Sequence, residues 1–225
     1  MLNYLFGKGN NYNNNLNSEL DISMKIDNMN NPISNPADNS VDNPIDNSVV
    51  DSVVDSNNKL YDITVSVAES VTAGAITNIL GAKPGSSLYF KGGIFTCSIA
   101  SKKDILNINI EYAEKNNFAN PFTTMEMAKS VAKLFNTRYG ISTTGYSLPI
   151  QRKENLNTGE CELNIETPYA YICLYDSYTH DEVIIKKEFD YDKNKSSTKQ
   201  RAMMQVSTAN IAIELYNERI KKISK

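Results

Sequence analysis

The chain has 225 residues and a formal charge of −3, enough length for one mid-sized core and no cationic excess to hold a nucleic-acid backbone. The charge is uneven: residues 1–59 hold three Lys against eight Asp or Glu, a net of −5, which leaves 20 basic and 18 acidic groups, a net of +2, for the rest. A single histidine, His180, and three cysteines in no paired spacing, Cys97, Cys161 and Cys173, argue against a Ser-His-Asp triad, a histidine-rich zinc site and a disulfide scaffold. An odd cysteine count fits a reducing compartment, no apolar run is long enough to span a bilayer, and the N-terminal Met1–Phe6 lacks the basic region of a signal peptide. A soluble cytoplasmic protein with no membrane and no nucleic-acid partner is expected.

Residues 1–59 read as a tail. Sixteen are Asn, no aromatic residue falls between Tyr12 and Tyr61, and prolines at 32, 36 and 44 punctuate a degenerate repeat (Asn35-Pro36-Ala37-Asp38-Asn39-Ser40-Val41, then Asn43-Pro44-Ile45-Asp46-Asn47-Ser48-Val49). Such a segment buries too little apolar surface to offset its chain entropy, so disorder is expected here and one folded domain over 60–225.

From residue 60 the elements alternate. The β-branched run Ile63-Thr64-Val65-Ser66-Val67 predicts a strand over 62–68, and Ala73, Gly74 and Ala75 open a helix over 72–81. The turn between them carries two hydroxyls, Ser70 and Thr72. Such a turn aims backbone N–H groups at whatever sits above it, so a serine there can be a nucleophile, a ligand for a phosphate or oxyanion, or simply an N-cap. A short turn or helix at 84–90, a strand at 92–97 and a helix from Ser98 to Leu106 follow. Pro121 is placed for a helix N-terminus, with Met125, Ala128, Val131, Ala132 and Phe135 on one face. A strand at 139–145 precedes a hairpin, Thr167–Tyr175 with Glu182–Phe189, around the turn that holds His180. An amphipathic helix over 197–222 closes the chain. Strand–helix alternation with one hairpin predicts an α/β fold, a three-layer α/β/α sandwich on a mixed, mainly parallel sheet.

Several blocks of this body resemble, in order, the C-terminal domain of the competence/damage-inducible protein CinA, the domain of the nicotinamide-nucleotide amidases. Ala68-Glu69-Ser70-Val71-Thr72-Ala73-Gly74 stands where the family has A-E-S-C-T-G-G, and Gly85-Ser86-Ser87-Leu88-Tyr89-Phe90-Lys91-Gly92-Gly93-Ile94 matches G-S-S-x-x-F-x-G-G-V. Cys97-Ser98-Ile99-Ala100-Ser101-Lys102 takes the place of Y-S-N-E-A-K, Met127-Ala128 sits in the S-E-x-x-A-x-x-M-A block, and Thr144-Gly145-Tyr146-Ser147-Leu148-Pro149 stands for T-G-I-A-G-P. The resemblance covers about residues 62–218.

It implies hydrolysis of the carboxamide of nicotinamide mononucleotide to nicotinate mononucleotide and ammonia, with no metal or other cofactor. Carried over, Ser70 is the nucleophile, Lys102 its base and Thr144 a group that holds the amide or ribose. The turn N–H groups at Val71 to Gly74 would take the oxyanion, and Arg201 the phosphate. The same motif positions put Glu69, Thr72, Ala73 and Gly74 around the substrate, together with Ser86, Cys97 and Gly145. Family members commonly self-associate, so a homo-oligomer is expected. Without the resemblance, Lys102 and Lys103 read as solvated residues of a helix surface, Thr143 and Thr144 as a strand end, and Arg201 as an exposed helix residue.

The departures define the competing reading. Cys97 replaces the family tyrosine, Ala73 a glycine and Leu148 another. The glycine-rich loop becomes the more polar Gln151–Cys161, Lys195-Ser196-Ser197 stands where the family has G-D-R, and the Asn-rich tail occupies the place of CinA's N-terminal domain. A catalytically silent relative, a ligand-binding or assembly module, would also fit these changes.

Overall fold

Five strands build one sheet in a computed structural model that describes residues 62–115, 117–151 and 164–223. The Asn-rich segment, Cys161 and nearly all of the Gln151–Cys161 loop lie outside the described residues. The strands are β1 (Val65–Glu69), β2 (Phe90–Phe95), β3 (Tyr139–Tyr146), β6 (Tyr169–Asp176) and β7 (Glu182–Glu188), in the order β2-β1-β3-β6-β7. Two short strands, β4 (Ile150–Gln151) and β5 (Asn164–Ile165), form a separate ribbon. β1 pairs in parallel with β2 and β3, β6 is antiparallel to β3, and β7 is antiparallel to β6. Four of the five strands therefore share one direction and β6 alone is reversed, a mixed sheet of the predicted α/β kind.

Among the described residues five α-helices accompany it, α1 (Ala75–Gly81), α2 (Ile99–Leu106), α3 (Ile110–Lys115), α4 (Pro121–Phe135) and α5 (Ser197–Ile223), with a single 3-10 turn at Ser86–Leu88. Alternate strand residues point to opposite faces, which sorts the core into two layers. Val65, Val67, Tyr139, Ile141, Ile172 and Leu174 meet Ile76 and Leu80 of α1 and Ile213 and Tyr216 of α5. Ala68, Cys173 and Tyr175 point the other way, toward Met127, Ala128 and Val131 of α4. Each fully buried aliphatic side chain of this kind contributes about 1.5–3 kcal/mol. Helix α4 lies unusually close to β3: a Cβ at Gly140 would fall 2.0 Å from the Ala128 carbonyl oxygen, so no larger residue fits there. Asn120 caps α4 by accepting the Thr123 N–H at 2.8 Å, and Pro121 starts it where a missing N–H costs nothing.

The observed bounds differ from the expected ones in instructive places. α1 begins at Ala75 rather than at 72, because Ala73 (φ 53°) and Gly74 (φ 96°) are left-handed and cannot belong to a right-handed helix. β2 begins two residues early. α3 and the β4–β5 ribbon were not foreseen, since six- and two-residue elements carry too little periodicity to register. Among the described residues no helix is long and apolar enough to cross a membrane.

Candidate active site

The site begins at the carboxyl ends of β1 and β3, where open α/β sheets present their loops. Glu69, the last residue of β1, is wholly buried. Its Oε2 accepts the N–H groups of Gly74 at 2.9 Å and Ile76 at 3.2 Å, while Oε1 accepts the Thr77 N–H at 2.8 Å and the Thr77 hydroxyl at 2.7 Å. The carboxylate thus caps α1, offsetting the unpaired donors and positive end of that helix. Two sequence expectations change as a result. Neither Ser70 nor Thr72 serves as the cap, and Glu69 has no oxygen left for a substrate.

Ser70, released from capping, is half-buried and faces Lys102. The lysine belongs to the first turn of α2, which Ser98 caps by accepting the Ser101 N–H at 3.1 Å. That turn folds back over the ends of β1 and β2, so Lys102 is only 4% exposed, not the solvated residue its helical position suggests. Its Nζ lies 2.6 Å from the Thr96 carbonyl oxygen, 3.4 Å from that of Cys97 and 3.1 Å from Ser70 Oγ. Burial pushes the Lys102 ammonium below its ordinary pKa, with the charge of a Cys97 thiolate pulling the other way.

A small pocket opens above this pair, lined by Ser70, Cys97, Lys102, Phe118, Ala119, Thr144, Gly145 and Tyr146. Thr144 is buried, and its hydroxyl meets that of Thr124 at 2.6 Å. At Gly145 (φ 156°) a Cβ would lie 2.2 Å from the Tyr169 carbonyl oxygen, so only glycine lets β3 turn past β6 here. A chain of hydrogen bonds fixes the Phe118–Ala119 wall. The Tyr146 hydroxyl donates to Asn117 Oδ1 (2.6 Å), Asn117 Nδ2 to Tyr169 Oη (3.1 Å), and the Tyr169 hydroxyl to the Ala119 carbonyl (3.1 Å).

The structure thus brings Ser70, Lys102, Cys97, Thr144 and Gly145 together and leaves other predicted residues out. Thr72 is buried against Thr143, hydroxyl to hydroxyl at 2.8 Å, beneath the turn. Gly74 has its N–H engaged by Glu69, so Val71, Thr72 and Ala73 are the turn residues whose N–H groups find no acceptor among the described residues. Ser86 precedes β2, whose first residue Phe90 pairs with Val65 at the start of β1; it therefore sits at the opposite end of the sheet from Ser70. Arg201 is exposed and donates to Ser147 Oγ, next to the pocket residue Tyr146 but outside the pocket lining. Sequence reasoning missed Phe118, Ala119 and Tyr146. Tyr146 stood inside a recognised block, whereas Phe118 and Ala119 lie in a five-residue connection with no periodic signal.

Together these features define an α/β protein with a polar pocket at the ends of two parallel strands, built on a buried lysine set against a serine. A sequence profile described as the CinA C-terminal domain matches residues 46–216, and the chain belongs to that family. A CinA-like protein of Flavobacterium psychrophilum is 30% identical over 164 residues, 72% of this chain and 35% of that protein. A CinA-like protein of Endomicrobium trichonymphae is 41% identical over 87 residues, 39% of this chain and 20% of that protein. The chain spans only 35% and 20% of the lengths of these two relatives. Among solved structures, a CinA superfamily protein from Klebsiella pneumoniae 700603 aligns with a TM-score of 0.57 at 16% identity, over 77% of this chain and 94% of that one. A competence or damage-inducible protein from Enterobacter asburiae gives 0.56 at 16% identity, over 76% and 96%. At such identity the likeness bears on the fold alone.

Proposed function

We propose that this chain is a Ser-Lys amidase that hydrolyses the carboxamide of nicotinamide mononucleotide to nicotinate mononucleotide and ammonia. The observation that carries the reading is the 3.1 Å approach of buried Lys102 Nζ to Ser70 Oγ. A neutral lysine has two N–H protons and one lone pair. The carbonyls of Thr96 and Cys97, at 2.6 and 3.4 Å, can only accept, so they take both protons and leave the lone pair for the Ser70 hydroxyl. Lys102 then removes the Ser70 proton as Oγ bonds to the amide carbon. Negative charge collects on the amide oxygen, for which the N–H groups of Val71, Thr72 and Ala73 are the available donors. The Lys102 ammonium returns its proton to the departing nitrogen, the C–N bond breaks and ammonia leaves. Water, activated by the same lysine, hydrolyses the acyl-serine and restores the free hydroxyl.

The substrate is a small nucleotide, Arg201 at the rim is the candidate phosphate ligand, and a homo-oligomer of the domain beginning near residue 60 is the working form. Ammonia release from nicotinamide mononucleotide by wild type, Ser70→Ala and Lys102→Ala tests the assignment. Turnover should fall by about 10³-fold in each variant. A folded wild type with no turnover, beside an active family member, overturns it. That result would favour the second reading, a ligand-binding relative. The observation behind that reading is Cys97, which offers no phenol at a pocket position where the family has one.

A further inference from the structure

The protons of the Thr124–Thr144 pair can be assigned from the acceptors around them. A hydroxyl has one proton. The Thr124 hydroxyl donates its own to the carbonyl of Asn120 at 2.7 Å, an oxygen that can only accept. In the 2.6 Å contact between the two threonines Thr124 must therefore accept and Thr144 must donate. Both side chains are buried, and the arrangement is held firmly. Ser142 Oγ donates to the Thr124 carbonyl at 2.5 Å, and Asn120 caps the helix that carries Thr124. Thr144, a lining residue of the pocket beside Ser70 and Lys102, thus has its only proton committed to Thr124, which is not a lining residue, and toward any ligand there its hydroxyl oxygen can only accept.

We infer that Thr124, a residue outside the pocket, sets Thr144 as an obligate acceptor and so tunes the site toward a ligand group that donates there, the NH₂ of a primary carboxamide, and against the carboxylate that replaces it. The inference rests on the amidase reading of the same pocket. A carboxylate has acceptor oxygens only, so at Thr144 it meets lone pairs with lone pairs; an amide NH₂ makes a hydrogen bond at the same point. Sites built to bond a substrate N–H discriminate strongly against the analogue without one. Product formation removes the donor, which favours release of the acid. Thr124 is a positioning residue in this scheme, acting only through Thr144.

Calorimetric binding to the Ser70→Ala protein, which holds ligands without turnover, tests this with nicotinamide mononucleotide and nicotinate mononucleotide as the probes. The readout is the ratio of the two dissociation constants, compared among Ser70→Ala alone, with Thr124→Val and with Thr124→Ser. Lys102 is common to all three, so its pull on a carboxylate cancels in the comparison. Valine keeps the shape of Thr124 but accepts no hydrogen bond, freeing the Thr144 proton to turn into the pocket. The ratio should shift toward the acid by at least about tenfold with Thr124→Val and stay within about twofold with Thr124→Ser. A ratio unmoved by valine, or moved as far by serine, overturns the inference and leaves the amidase reading standing. Binding of neither nucleotide by folded Ser70→Ala protein overturns both.

Discussion

Lys102 Nζ and Ser70 Oγ stand 3.1 Å apart although 32 positions separate them, and the lysine reaches the serine from within protein rather than from solvent. Burial disfavours the ammonium, so the neutral amine that the proposed mechanism needs forms at lower pH than for a free lysine. As the base must be unprotonated, kcat/KM should rise with pH through the Lys102 pKa and level off above it. The inflection should fall below the usual lysine value of about 10.4. Lys102→Arg, which keeps the charge but gives up no proton, should be inactive across the whole range. A flat profile over pH 6–10 for the wild type would remove Lys102 from the role of base.

Glu69 governs the turn that carries Ser70. Its two oxygens accept four hydrogen bonds, three of them from backbone N–H groups between Gly74 and Thr77. Glu69→Gln replaces one accepting oxygen with an NH₂ that faces donors, so part of this set is lost inside the protein. The expected cost is roughly 2–3 kcal/mol, read as a lower midpoint in urea unfolding with the slope unchanged. A variant within about 0.5 kcal/mol of wild type would mean that water or another acceptor serves these donors as well.

The two sides of Glu69 show how far sequence reasoning reaches. The β-branched run Ile63-Thr64-Val65-Ser66-Val67 is enough to place a strand, while its two faces, with Val65 and Val67 on one and Ala68 on the other, are sorted only by packing. Pro121 and the apolar spacing to Phe135 place α4 for the same kind of reason, a local signal repeated over several turns. The cap on α1 follows no such local rule, since the capping carboxylate lies five to eight residues before the groups it accepts and on the strand rather than at the helix start. Lys102 is similar: its helix position predicts solvent, and only the packing of α2 over two strand ends buries it. Ser86 was placed by motif order, but a parallel crossover carries it to the far end of the sheet. Thr143 and Thr124 contribute through partners 71 and 20 positions away, separations at which composition and spacing say nothing.

Cys97 differs from Cys173 in a way that chemical modification can read. Cys97 is exposed and lines the pocket beside Lys102. Cys173 is buried, and burial together with the nearby Glu182 pushes its thiol up to about 12. Thiolate is the reactive form, so iodoacetamide at pH 8 should label Cys97 and spare Cys173. The carbamidomethyl group would then occupy space beside the Ser70–Lys102 pair, and turnover should fall at the rate at which Cys97 is labelled. Peptide mass mapping follows the label, and Cys97→Ser should protect the activity. Loss of turnover in the Cys97→Ser protein at the wild-type rate would place the sensitive thiol elsewhere.

Ala73 has the left-handed conformation with its methyl group exposed, at φ 53°, directly before Gly74 at φ 96°. A left-handed alanine is strained by roughly 1–2 kcal/mol because its Cβ crowds the following carbonyl, and glycine avoids the clash. Glycine also gains freedom in the unfolded chain, which opposes folding by about 0.4–1 kcal/mol. The strain is the larger of the two, so Ala73→Gly should stabilise the protein by about 0.5–1 kcal/mol. Ala73 is exposed, so little packing is lost with its methyl, and the Glu69 cap that fixes the turn remains. A midpoint of urea unfolding that moves upward with an unchanged slope supports the argument, as does turnover at or above the wild-type level. A lower midpoint would show that unfolded-state entropy outweighs the backbone strain at this turn.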